Sequence, residues 1–188
     1  MEKGRSTNAC GEKILMIKRK LKLTKTHDKF ILGLDPGKNG AMVIIDQDKK
    51  LVAGYKMPLI KREYDLRNIM KILEAAKDLN CMAYLEFCNS FGKGGKKSFY
   101  VQGIGHGILR GMLFAVGLRY REVNPSMWQK VIYAGMSKNL NPKEKGELVF
   151  SQEYQLDKDE VFPEAKVSQE GLIDAFLIAQ YGLRQERF

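Results

Sequence analysis

Residues 30–46, FILGLDPGKNGAMVIID, constrain the fold more tightly than any other stretch of the chain. Two apolar runs long enough for buried strands are separated only by Asp-Pro-Gly-Lys-Asn-Gly. A link of that composition and length turns a strand back on itself and leaves no room for a helix. The first run ends on Asp35, so a carboxylate leaves a buried strand just where the chain turns. A third run, LVAGYKM at 51–57, follows the equally short QDKK, and the three together predict an antiparallel meander. Taken alone, an aspartate before Pro-Gly is an ordinary turn residue.

Beyond the meander the periodicity changes. From Tyr64 to Leu79, the residues Leu66, Ile69, Met70, Leu73 and Ala76 recur at helical spacing. MAYLEF at 82–87 reads as a fourth strand. A Gly- and Lys-rich loop at 92–97 precedes a long helix, and LRYREV at 118–123 reads as a fifth strand. Further helices start near Ser126, at Asn141-Pro142 and near Glu170. This α/β order is similar to that of the ribonuclease H-like fold: a mixed five-stranded sheet, made of a three-strand antiparallel meander plus two further strands, flanked by helices.

Two more acids stand where Asp35 stands, at the edge of apolar surroundings. Glu86 ends the run CMAYLEF. Asp174 lies among Leu172, Ile173, Ala175, Phe176, Leu177 and Ile178, with Glu170 one helical turn before it on the same face. Lone buried carboxylates are costly, and carboxylates held close together repel. A hard divalent cation relieves both costs, and Mg²⁺ is satisfied by a few carboxylates, water and a substrate phosphate. The residues thus suggest that Asp35, Glu86 and Asp174 meet at metal. Separately, Glu86 also reads as a solvent-facing strand end and Asp174 as the partner of a lysine.

Charge narrows the partner. Of the 188 residues, 32 are Lys or Arg and 22 are acids, a net charge of +10 with a pI near 9.4. Such an excess suits a polyanion, either nucleic acid or an anionic membrane surface. Residues 1–29 hold nine basic residues against three acids, more than half of the surplus, and form a basic extension before the globular part. Its segment KILMIKRKLKL reads as a short element laid on the body, as an arm that orders on phosphate, or as a solvated tail. Cys10, Cys81 and Cys88 make neither a metal-ligand pattern nor a disulfide framework. No run of 18 apolar residues occurs, and the N-terminus lacks the apolar core of a secretory peptide. The expectation is a soluble, unexported chain with no membrane partner, in the cytoplasm or another reducing compartment that holds DNA.

Four segments together carry a family resemblance. ILGLDPGKNGAMVIID resembles the first motif of the RuvC-type Holliday junction resolvases, and AYLEF the second, with its strand-end Glu. VNPSMWQKVI is similar to a Pro-x-x-Trp-Lys segment of the phage-type branch, and EGLIDAFLIAQYGLR to the closing helix. The likeness spans about residues 30–184, in the correct order. One departure stands out: Gly171 lies where the family often has Asp or His ahead of the final Asp, which leaves Glu170 as the substitute.

The resemblance implies that residues 30–188 form a metal-dependent nuclease domain acting in DNA recombination and repair. It would resolve four-way DNA junctions by paired symmetric nicks, as a homodimer, without a small-molecule cofactor. Two Mg²⁺ ions about 4 Å apart, or Mn²⁺ in their place, would be bridged by Asp35. Glu86 would serve one ion, and Asp174 with Glu170 the other. A basic residue at the start of the penultimate helix would stabilise the transition state: Lys143, with Lys145 in reserve. The loop NSFGKGGKKSFY, rich in glycine and carrying Lys93, Lys96 and Lys97, suits phosphate contact on composition alone. In a resolvase it would lie at the branch point, where Phe91, Phe99 or Tyr100 would wedge or stack; otherwise these aromatics anchor the ends of a surface loop.

The helix after this loop repeats glycine at 103, 107 and 111, which calls for a closely packed backbone, either the sheet or a second copy. His106 reads as a packing or surface residue. Three other classes compete. Actin-like and sugar kinases share the Asp-x-Gly turn but need two such domains. A ribonuclease H-like nuclease that cuts RNA, flaps or forks is not separable by charge and acids. A non-catalytic DNA-binding relative finds support only in Gly171.

Overall fold

The computed structural model describes residues 29–87, 95–154 and 170–186; the basic extension up to residue 28 lies outside the described residues. Strands β1 (Phe30–Leu34), β2 (Ala41–Asp46) and β3 (Leu51–Lys56) form the expected antiparallel meander. After a two-stranded hairpin, β4 (Leu59–Ile60) with β5 (Glu63–Tyr64), come α1 (Leu66–Asp78), β6 (Met82–Glu86) and α2 (Lys96–Val116). The chain then runs through β7 (Tyr120–Val123), α3 (Pro125–Ile132), α4 (Pro142–Tyr154) and α5 (Glu170–Gln185). The main sheet has the order β3-β2-β1-β6-β7, with β6 parallel to both β1 and β7. This is the mixed five-stranded sheet flanked by helices that the pattern predicts. The β4–β5 hairpin is an element the sequence reading does not contain.

The helix boundaries follow local chemistry. Asp65 caps α1, its Oδ1 accepting from the Asn68 amide at 3.2 Å. At α4, Asn141 Oδ1 accepts from the Glu144 amide at 3.0 Å while Glu144 Oε2 accepts from the Asn141 amide at 2.8 Å, a reciprocal capping box. Helix α2 stops at Gly117, whose φ of 72° lets the chain leave the last turn in the left-handed region.

Side-chain alternation splits the sheet between two cores. Ile31, Val43, Ile45 and Tyr84 face α5, with α3 and α4 behind it. Leu32, Leu34, Met42, Ile44, Ala83 and Leu85 face α1 and α2. The same parity aims residues 33 and 35 of the first strand, and 86 of the fourth run, at the α5 side. Helix α5 is buried nearly all round, and glycines let it lie against the sheet: a Cβ at Gly33 would sit 2.0 Å from the Ala175 carbonyl oxygen.

Candidate active site

Asp35 follows the last residue of β1, and its amide still donates to the Ala41 carbonyl at 3.0 Å, so it is held as if the ladder continued. Its Oδ1 accepts from the Gly37 amide at 3.2 Å. Gly40 is obligatory in this turn, because a Cβ there would meet the Asp35 carbonyl oxygen at 2.3 Å and its carboxyl carbon at 2.8 Å. The parallel register Leu34↔Leu85 brings Glu86 beside Asp35 at the neighbouring strand end. Helix α5 supplies Asp174 from above, seated by Gly171, where a Cβ would lie 2.2 Å from the Asn39 carbonyl oxygen and 2.7 Å from Gly40 Cα. Position 171 therefore has no room for a side chain. Its glycine docks the start of α5 directly on the Asp35 turn.

The electrostatics show that the three acids share one environment. Burial, offset in part by the Gly37 amide, pushes the Asp35 carboxyl up to about 6. Glu86 rises to about 8, first through burial, then through the charge of Asp35 and, more weakly, Asp174. Asp174 rises to about 7 through burial and then the charges of Asp35 and Glu170. All three carboxylates are thus disfavoured by their dry surroundings, and Glu86 and Asp174 also by neighbouring acids.

Trp128, in the segment VNPSMWQKVI, completes the wall, a role that the sequence pattern does not reveal. The indole is fully buried and its Nε1 donates to Glu86 Oε1 at 2.8 Å, the one interaction that favours the charged form of Glu86. Tyr133 packs edge-on against Trp128, with centroids 5.8 Å apart, and feels the charges of Asp174 and Glu86 after the effect of its own burial.

The remaining expected residues divide. Glu170 is half-exposed at the start of α5 and pairs with Lys143 at the start of α4. Lys145 is half-buried one turn into the same helix. Phe91 and Lys93 lie outside the described residues. Lys96 and Lys97 open α2, and their side chains lie outside the described set. Phe99 is half-buried and Tyr100 is 69% exposed. His106 is buried, with its ring edge-on to Phe87 at 5.5 Å and its Nε2 3.7 Å from Glu122, which fits a packing residue. Cys81 is free and buried in the core, its thiol pushed up to about 12 by that burial.

Among the described residues, no three His, Cys, Asp or Glu side chains are gathered tightly enough to close on an ion. The donor set still suits a hard divalent cation. Its members are carboxylates, they repel one another, and Mg²⁺ needs only one or two of them with water and phosphate oxygens.

No protein-family model and no curated protein matches the sequence. Solved structures do. One is Thermus thermophilus RuvC, at 19% identity and a TM-score of 0.56, covering 83% of this chain and 96% of that one. Another is T. thermophilus RuvC in complex with a Holliday junction substrate, at 18% identity and a TM-score of 0.54, covering 81% and 91%. At this identity the likeness establishes the fold: the chain has the RuvC-like ribonuclease H architecture.

Proposed function

We propose that the protein is a divalent-metal-dependent endonuclease that resolves four-way DNA junctions by paired symmetric nicks. The observation that carries this reading is the convergence of Asp35, Glu86 and Asp174 from three separate elements, with all three carboxyls raised by burial and with Glu86 on the neighbouring strand and Asp174 on α5 both feeling the charge of Asp35. A fold with no catalytic demand gains nothing by placing three acids there, since removing any one would lower the repulsion. The net charge of +10 fits a DNA substrate.

Asp35, Glu86 and Asp174 would hold the metal. When bound, two such ions supply a water nucleophile at neutral pH and neutralise charge on the attacking and leaving oxygens of an in-line displacement. The chain's own contribution is placement. Trp128 holds one oxygen of Glu86, which leaves the other for the metal. Gly171 fixes the height of Asp174 above Asp35. Lys143, paired with Glu170, would be a cation for the phosphate, and Glu170 would join the metal's ligands in exchange for that pairing.

The dimer that paired cutting requires would use α2. Beyond their own helical neighbours, Gly103, Gly107 and Gly111 have no described atom within 4 Å of a Cβ built on them, so the sheet is not the neighbour. Beside them Tyr100, Ile104 and Phe114 are 69%, 39% and 82% exposed.

The test is cleavage of labelled four-way junction, replication fork and linear duplex, in Mg²⁺ and in EDTA, beside Asp35→Asn. Symmetric metal-dependent nicks confined to the junction, lost in the variant, are expected. Equal cutting of forks would reduce the reading to a debranching nuclease, and tight binding without cutting would leave a DNA-binding module.

A further inference from the structure

The β4–β5 hairpin has a tip of two residues, Lys61 and Arg62, between the paired Ile60 and Glu63. Both tip residues are left-handed, with φ of 48° and 69°. A two-residue hairpin with positive φ at both positions is the turn that Asn-Gly forms most readily, because those residues tolerate the left-handed region. Lysine and arginine do not, so here the chain holds two cations in strained backbone on an exposed tip. Among the described residues no carboxylate pairs with either side chain: the adjacent Glu63 is engaged by Lys38 at 3.2 Å.

This tip is fastened to the carboxylate centre. Lys38, in the Asp35 turn, donates to the Arg62 carbonyl as well as to Glu63. The Tyr64 hydroxyl donates to the Pro36 carbonyl at 3.0 Å, one residue beyond Asp35. Helix α2 leaves space for that bond, since a Cβ at Gly105 would meet the Pro36 oxygen at 2.1 Å and the Tyr64 hydroxyl at 2.3 Å. Lys38 and Tyr64 thus tie the hairpin to the turn that presents Asp35, and its two unpaired cations stand at a set position relative to the acids.

Resting on the nuclease reading, we propose that the β4–β5 hairpin is a docking point for the backbone phosphates of a DNA arm, with Lys61 and Arg62 as the contacting cations and Lys38 and Tyr64 as the fastening that sets their register on Asp35. Backbone contacts of this kind position a strand without reading its sequence. The hairpin thereby selects which phosphodiester along the arm reaches the carboxylates.

The experiment measures the affinity of the full chain for a labelled four-way junction in EDTA, where no cutting occurs, across a salt series. Lys61→Gly with Arg62→Gly removes both charges and suits the left-handed backbone, so its melting temperature should equal or exceed that of the parent. Its affinity should fall about tenfold, and its salt slope should drop by roughly two counterions. Lys61→Glu with Arg62→Glu should weaken binding further, by on the order of a hundredfold. If the parent binds the junction and both variants bind it equally well with an unchanged slope, the hairpin is no contact and the nuclease reading survives. If the parent itself fails to bind DNA at any salt, the nuclease reading falls and takes this inference with it.

Discussion

Helices α5 and α2 are both rich in glycine, and the residue means opposite things in them. Under α5, glycine marks backbone in contact: Gly33 against Ala175, Gly171 against Asn39, and Gly182, where a Cβ would lie 2.5 Å from the Tyr84 ring. Along α2, Gly105 alone is of that kind. Among the described residues, nothing outside their own helical neighbourhood meets Gly103, Gly107 or Gly111. One helix is pressed onto the sheet so that an acid reaches two strand ends, while the other keeps a flat face turned outward. Spacing identifies a smooth ridge on α2, and only the assembled fold tells that the sheet does not cover it.

The largest effect should come from Gly33→Ala. The new methyl would meet backbone atoms of α5, which cannot move as a flexible side chain does, so a loss of about 4 kcal/mol is expected in denaturant unfolding. A loss below about 1 kcal/mol would mean that α5 is not pressed onto β1. Gly171→Ala should cost about 2 kcal/mol and lift Asp174 away from Asp35. Its folded fraction should lose most of the thermal stabilisation that Mn²⁺ confers on the parent. An unaltered Mn²⁺ response would show that the seat of α5 does not set the acid's position.

The α5 side is also where the fold gives up stability, and pH reads this directly. The unfolded chain ionises these carboxyls near their ordinary values, whereas the folded chain holds protons up to about 6 on Asp35, 7 on Asp174 and 8 on Glu86. Between those limits the native state binds more protons, so metal-free stability should fall as pH rises from about 4 to 8. Asp35→Asn should raise the metal-free melting temperature by about 5 °C at pH 8, and by less at pH 5. A variant that melts lower at pH 8 would contradict the shared environment. The smallest effect belongs to α2. Gly107→Ala should stabilise the monomer by about 1 kcal/mol through helix propensity alone while weakening self-association in sedimentation. If the parent is monomeric at every concentration, the open face is merely solvated.

Much of the site was legible because strands encode parity. Asp35 and Glu86 share the α5 face by counting from Ile31 and Tyr84, and Asp174 stands out as the acid in an apolar helix. The capping box at Asn141 and Glu144 was readable in part, with a helix start expected at Asn141-Pro142. Glu170 shows the limit. Its place one turn before Asp174 puts it on the right face, but a helix start is open to neighbours from other segments, and Lys143 meets it there. The hairpin stayed hidden because Leu-Ile-Lys-Arg-Glu-Tyr contains none of the residues that ordinarily mark a tight turn.

The sequence by itself determined periods and polarity: which residues of each strand share a face, where α4 and α5 begin, and that three acids sit at apolar boundaries. These are properties of a segment and its immediate neighbours. Only the tertiary structure decided that α5 docks through Gly171 on the Asp35 turn, that Trp128 holds Glu86, and that two cations crown a hairpin tied to Pro36. Each of these depends on segments far apart in the chain arriving at one place, and the raised carboxyl proton affinities exist only once that arrival has excluded water.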